Sequence, residues 1–186
     1  MKGKGKGEMN NSVVNFKKKS IQEETALSYA IELMDQPTIS KLLKHNKINI
    51  NCLLETNKLK FDYDKNEQIL TNIKQAALHR AVRKGIDIQD LVNHSKIDIN
   101  TVYTRTQKTN NKSFQKNSWT VPNEQIKTVR LTALHMAVSN EKVDIFKTLL
   151  SNKKININSH WISECKQSTE EKDALHLAIS EIASIL

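Results

Sequence analysis

Thr132-Ala133-Leu134-His135-Met136-Ala137 is the stretch on which the fold turns, because it occurs four times. The other copies are Thr25-Ala26-Leu27-Ser28-Tyr29-Ala30, Ala76-Ala77-Leu78-His79-Arg80-Ala81 and Asp173-Ala174-Leu175-His176-Leu177-Ala178. Each of the first three is followed by an apolar pair, Leu42-Leu43, Leu91-Val92 and Leu149-Leu150, and then by a Lys-Ile-Asn/Asp-Ile-Asn run ending at Asn51, Asn100 and Asn158. A register held this closely means that one supersecondary unit has been duplicated.

Within the third copy, Leu134, Ala137 and Val138 fall at i, i+3 and i+4. Ile145, Phe146, Leu149 and Leu150 repeat that spacing after the polar break Asn140-Glu141-Lys142. The spacing predicts two short amphipathic helices per unit. Ser20 with Glu23 has the pattern of a capping box before the first helix, Pro37 suits the first turn of the second, and Gly85 marks the equivalent break in the second copy. The second copy is two residues shorter between signature and apolar pair, so its helices are expected to be trimmed by half a turn. Ala30, Ala81, Ala137 and Ala178 sit where a larger side chain would hold helices apart, and are expected to permit close stacking of unit on unit.

Thr-Ala-Leu-His-x-Ala, the Leu pair and the Asn-ending turn resemble the ankyrin repeat, with alanine at positions 26, 77, 133 and 174 where that family has proline. The resemblance implies an all-α helix-turn-helix solenoid with β-hairpin-like insertions between repeats. Repeats are expected at about 20–51, 75–100, 131–158 and a partial 172–186, with insertions at 52–74, 101–130 and 159–171. The signature leucines lie 51, 56 and 41 residues apart, against a family period of about 33, so each junction carries extra chain. Residues 59–73 alternate apolar and polar positions around Asp64-Lys65-Asn66-Glu67 and read as a hairpin. Thr101–Leu131 reads either as a longer hairpin or as a disordered spacer. The fourth copy, ending in Ile182, Ile185 and Leu186, has room for a shrunken second helix at most.

Composition sets the outer bounds. Of 186 residues 38% are hydrophobic and 5% aromatic, which suits a thin, surface-rich fold better than one closed core. Cys52 and Cys165 give neither a disulfide framework nor a zinc pattern. No apolar run is long enough for a membrane span or a signal peptide, so a cytoplasmic or nuclear protein without membrane attachment is expected. The net charge of +9 is clustered. Six lysines against Glu8 occupy the start of the chain, where residues 1–19 are expected to be a disordered basic tail. Arg105, Lys108, Lys112, Lys116, Lys127 and Arg130 stand against Glu124 in the second insertion.

Catalytic chemistry has no foothold in these patterns. There is no Gly-rich phosphate loop and no zincin or hydrolase motif. His79, His135 and His176 share one signature position, and the resemblance implies a structural hydrogen bond there. His45 and His94 are placed at second-helix C-termini, where positive charge offsets the helix dipole. His160, Trp161 and Cys165 form a mixed cluster lacking further ligands at metal spacing. Neither catalysis, nor a cofactor, nor a metal is expected.

The family resemblance implies a monomeric, non-catalytic protein-protein interaction scaffold that holds an unidentified protein on its concave face and turn tips. Glu32, Leu33, Arg83, Lys84, Ser139 and Asn140, with Ser180 and Glu181, are the residues that would touch it. The alternative is an acidic or nucleic-acid partner bound by the second insertion, where Arg105 and Lys108 are interleaved with Tyr103, Phe114 and Trp119. A third possibility is that the chain is an interaction fragment of a larger protein.

Overall fold

A computed structural model describes residues 25–62, 67–111, 124–166, 168–174 and 176. The tail 1–19, Ser20, Glu23, Phe114, Trp119, Ser180 and Glu181 lie outside them, as does most of 172–186. Among the described residues three helix pairs follow one another: α1 (Ala26–Glu32) with α2 (Gln36–Leu43), α3 (Ala77–Lys84) with α4 (Gln89–Val92), and α5 (Ala133–Ser139) with α6 (Val143–Leu150). First helices touch first helices, α1 on α3 on α5, and second helices touch second helices, α2 on α4 on α6.

Each helix starts and stops where local chemistry dictates. The Thr25 hydroxyl accepts from Ser28 N–H at 3.2 Å, and Asp35 Oδ1 accepts from Thr38 N–H at 3.1 Å. Thr38 also holds Asp35 through its hydroxyl, which keeps that carboxyl below its usual range. Pro37 lies in the first turn of α2, where no intrahelical donor is lost. The first helices end alike: Asp35, Ile86 and Lys142 donate their N–H groups back to the carbonyls of Ala30, Ala81 and Ala137. The expected half-turn trimming of both helices in the second unit is not what occurs. α3 keeps eight residues, and α4 is reduced to four against eight in α2 and α6.

The core runs through the three described helix pairs as one cluster, which Ala174 joins. Leu27, Leu78 and Leu134 are at most 2% exposed, and the signature alanines Ala30, Ala81 and Ala137 at most 4%. Replacing such an alanine by a larger side chain would force the first helices apart.

The all-α expectation is overturned. Six strands, β1 (Leu54–Asp62), β2 (Glu67–Gln75), β3 (Val102–Asn111), β4 (Glu124–Thr132), β5 (His160–Cys165) and β6 (Ser168–Asp173), form one antiparallel sheet in sequence order. The insertions are therefore not separate hairpins beside a helical stack. Each helix pair advances the chain by about 8–10 Å, and a hairpin two strands wide also occupies about 9–10 Å. Successive hairpins thus land at ladder spacing, and β2 pairs β3 as regularly as β1 pairs β2. The strands are long, so the sheet extends well beyond the helices. Among the described residues it is buried only at its base, at Leu54, Ile73, Gln75, Tyr103 and Thr132. No helix among the described residues is long and apolar enough to cross a membrane.

Candidate functional site

The base of the sheet meets the starts of α3 and α5, and the exposed residues of the repeat register lie at the opposite, C-terminal ends of the first helices. His79 and Tyr103 lie at the junction with ring centroids 6.0 Å apart. His79 is fully buried; its Nδ1 accepts from Ala76 N–H at 3.1 Å, so Nε2 carries the proton and donates to the Thr101 carbonyl at 2.9 Å. Burial pushes its pKa down to about 4, partly opposed by the Thr101 carbonyl and Asp98. This ring ties the start of α3 to the start of β3 and cannot act as an acid or base near neutral pH. His135 repeats the contact to Thr132, whose hydroxyl lies 2.8 Å from Nδ1. Its pKa is also lowered by burial, with the backbone of Ser159 and Lys172 opposing. His176 differs: its exposed ring is 2.8 Å from Asp173. His45 and His94 instead accept at Nδ1 from Lys47 and Lys96 N–H at 3.3 and 3.2 Å, a bond that a ring protonated on both nitrogens, as the expected dipole role requires, cannot make.

The helix ends carry the residues singled out from the repeat register. Glu32 and Lys84 come together at 2.7 Å, and Glu32 Oε2 lies 3.8 Å from Arg80 Nε, so α1 and α3 are bridged by charge. Lys84, against the opposing effect of burial and with lesser help from Arg80 and Arg83, holds the Glu32 carboxyl below its usual range. Leu33 is 60% exposed, and Arg83 and Ser139 are open to solvent. Asn140 folds its amide back onto the Met136 carbonyl at 2.7 Å. Burial raises the pKa of the Tyr103 hydroxyl, opposed by the charges of Arg105 and Arg83.

The pairing register decides which sheet face each strand residue occupies, since directly paired residues point the same way and neighbours along a strand point oppositely. One row runs Lys58, Thr71, Gln107, Lys127, Cys165, Ser168 across all six strands. Arg105 and Lys60 belong to this face, which also carries Ile73 and the helix contacts at its base. Lys108 and Arg130 belong to the other face. There Lys74 pairs with Glu55 at 3.6 Å, Lys108 with Glu124 at 3.8 Å and Arg130 with Glu164 at 2.7 Å.

The basic residues of the second insertion are therefore divided between two faces, with Trp119 outside the described residues. His160 and Cys165, five apart on β5, point to opposite faces. Among the described residues no group of three His, Cys, Asp or Glu could hold a metal ion. Sequence reasoning missed Lys58 and Lys60. Their two-residue spacing on a strand beside Leu59 and Phe61 was the available signal.

No curated protein and no solved structure matches the chain. The family model described as Ankyrin repeat matches residues 130–160, which hold the end of β4, the α5–α6 pair and the turn to Asn158. An ankyrin repeat is present in this chain at residues 130–160.

Proposed function

We propose that the chain is a monomeric, non-catalytic scaffold that binds a partner protein on the surface formed by the ends of α1, α3 and α5 and one face of the sheet. Ankyrin repeats imply protein partners in general, and the family is generally non-catalytic. The observation that carries the reading is the set of solvent-open side chains at equivalent positions of three adjacent helices. Glu32, Arg83 and Ser139, each five residues after a signature leucine, are exposed there, and the charge of Arg83 acts on the Tyr103 hydroxyl of the sheet. Glu32 and Lys84 serve this surface by locking α1 to α3, so their first role is positioning. Asn140, bonded to its own helix, shapes the rim.

Immobilised full-length chain and an Arg83→Glu, Ser139→Trp double variant test the reading, with captured proteins identified by mass spectrometry. A partner held by the wild type and lost by the variant, at unchanged melting temperature, is the expected result. Retention of every captured protein by the variant would overturn it.

A further inference from the structure

The sheet sorts its charges by face. On one side each described cation of β2, β3 and β4 is matched by a carboxylate: Lys74 with Glu55, Lys108 with Glu124 and Arg130 with Glu164. On the other, the rows from Thr56 to Lys60 hold Lys58, Lys60, Arg105 and Lys127 across β1 to β4 and no carboxylate. All four are exposed, and among the described residues none has an acidic partner within ion-pair distance. The acids of this face lie at its margins, Glu170 on the edge strand β6 and Asp62 with Glu67 at the strand tips. Cation side chains within about 8–10 Å of one another repel at physiological salt, and nothing in the fold requires four of them on one face.

We propose that this face is the docking surface for an acidic, extended segment of a partner protein, which supplies the missing carboxylates. The proposal rests on the interaction reading above and names the chemistry of the partner. Charge complementarity is one ground. A second is that hydroxyl and amide side chains lie between the cations. Thr71, Gln107, Thr109 and Gln125 offer donors to carboxylate and backbone oxygens. A third is shape: β5 pairs β4 only from Lys127 to Arg130, and where it stops a depression of about 390 Å³ opens beside Gln107, Thr109, Gln125, Lys127, Cys165 and Lys166. A nucleic-acid strand fits less well, because binding of that kind needs exposed rings for the bases. The described aromatics of this face are Tyr103, which is buried, and Trp161, which is half-buried with Lys172 Nζ 5.8 Å from its ring centre.

The test uses the full chain and a fluorescein-labelled Glu/Ser peptide of about nine residues, long enough at ~3.3 Å per residue to cross six strands spaced ~4.8 Å apart. Two triple variants remove the same net charge. Lys58→Gln, Arg105→Gln, Lys127→Gln strips the open face, and Lys74→Gln, Lys108→Gln, Arg130→Gln strips the paired one. Fluorescence anisotropy is expected to show peptide affinity about tenfold weaker for the first variant, from three lost surface ion pairs. The second should stay within about twofold of wild type, and binding should weaken with added salt. Equal weakening in both variants would mean that only net charge matters and would overturn the proposal. So would no measurable binding by wild type, or a random-sequence single-stranded oligonucleotide that binds more tightly and is lost with the same three residues. Circular dichroism melts of both variants confirm folding. A partner captured by the open-face variant but lost by Arg83→Glu, Ser139→Trp would sink this proposal and leave the interaction reading standing.

Discussion

The side-chain amide of Asn51 donates to the Lys96 carbonyl at 2.8 Å, so the closing turn of one unit is gripped by the residue that ends the turn before it. Asn51 Oδ1 accepts from Asp98 N–H at 2.9 Å. Asn100 repeats both bonds on the next unit, to the Lys154 carbonyl and Asn156 N–H at 2.8 Å each. The repeated Lys-Ile-Asn/Asp-Ile-Asn spacing has its physical reason here: Asn51 and Asn100 each bridge to the same two backbone groups one unit on.

Asn51→Ala removes both bonds at an exposed turn, where water replaces the lost partner, so it is expected to cost about 1 kcal/mol. Asn158, whose exposed side chain makes no such bridge among the described residues, is the matched control. Its alanine variant is expected to stay within about 0.5 kcal/mol of wild type. Urea denaturation of both variants checks the pair, and equal losses would dismiss the bridging role.

His79 couples stability to pH. Its folded pKa is about 4 against an ordinary 6.5, because burial disfavours the charged ring. Above about pH 6.5 the ring is neutral in both states and costs nothing. Between pH 6.5 and 4 the unfolded chain binds a proton that the folded chain does not, so stability falls with falling pH, by on the order of 3 kcal/mol over the window. The buried His135 shifts in the same direction and adds to the slope. Denaturation midpoints at pH 7.5 and 5 are expected to differ, and His79→Gln should flatten the dependence. An NMR titration placing the His79 ring near 6.5 would contradict this.

Much of the helical half of the molecule was legible because its signals are local. Leu27, Leu78 and Leu134 mark the core at i, i+3, i+4 spacing, and the Asn turns repeat at fixed distance. The sheet was not, since its decisive contacts join distant hairpins, Ile73 to Arg105 and Lys127 to Cys165. β6, Ser168-Thr169-Glu170-Glu171-Lys172-Asp173, lacks any apolar alternation; it is a strand through its pairing with β5, and periodicity gives no hint of it. The interaction surface divides similarly. Arg83 follows from the repeat register, whereas the separation of Arg105 from Lys108 depends on strand parity, which appears only once both are placed on one strand.

Arg80 occupies the signature position held by Tyr29 and Met136 in the neighbouring units. It is 7% exposed, like Met136, and its Nη1 donates to the Ser28 carbonyl at 3.1 Å. Removing the stem as well as the charge should hurt most, so Arg80→Ala is expected to cost about 1–3 kcal/mol. Arg80→Met keeps the packing and removes a buried charge, and is expected to retain at least about 1 kcal/mol more stability than the alanine variant. Equal melting temperatures for the two would show that the ion pair with Glu32 and the hydrogen bond to the Ser28 carbonyl, not the packed stem, set the stability of this position.

Three equivalent turns solve one backbone problem with different residues. Gly85, Met34 and Glu141 close the first helices with φ of 74°, 59° and 54°, in the left-handed region that costs a side-chain-bearing residue about 1 kcal/mol. A Cβ at Gly85 would meet Lys142 Cε at 3.5 Å, ordinary contact, so the cost of Gly85→Ala is conformational and is expected near 1 kcal/mol. The converse change, Glu141→Gly, relieves the same strain on an exposed residue and is expected to stabilise the chain by about 0.5 kcal/mol after glycine's extra unfolded-state entropy is deducted. Thermal melts of the two variants should move in opposite directions. If both fall, the Glu141 side chain contributes more to the third unit than its exposed position indicates, and the turns are not equivalent.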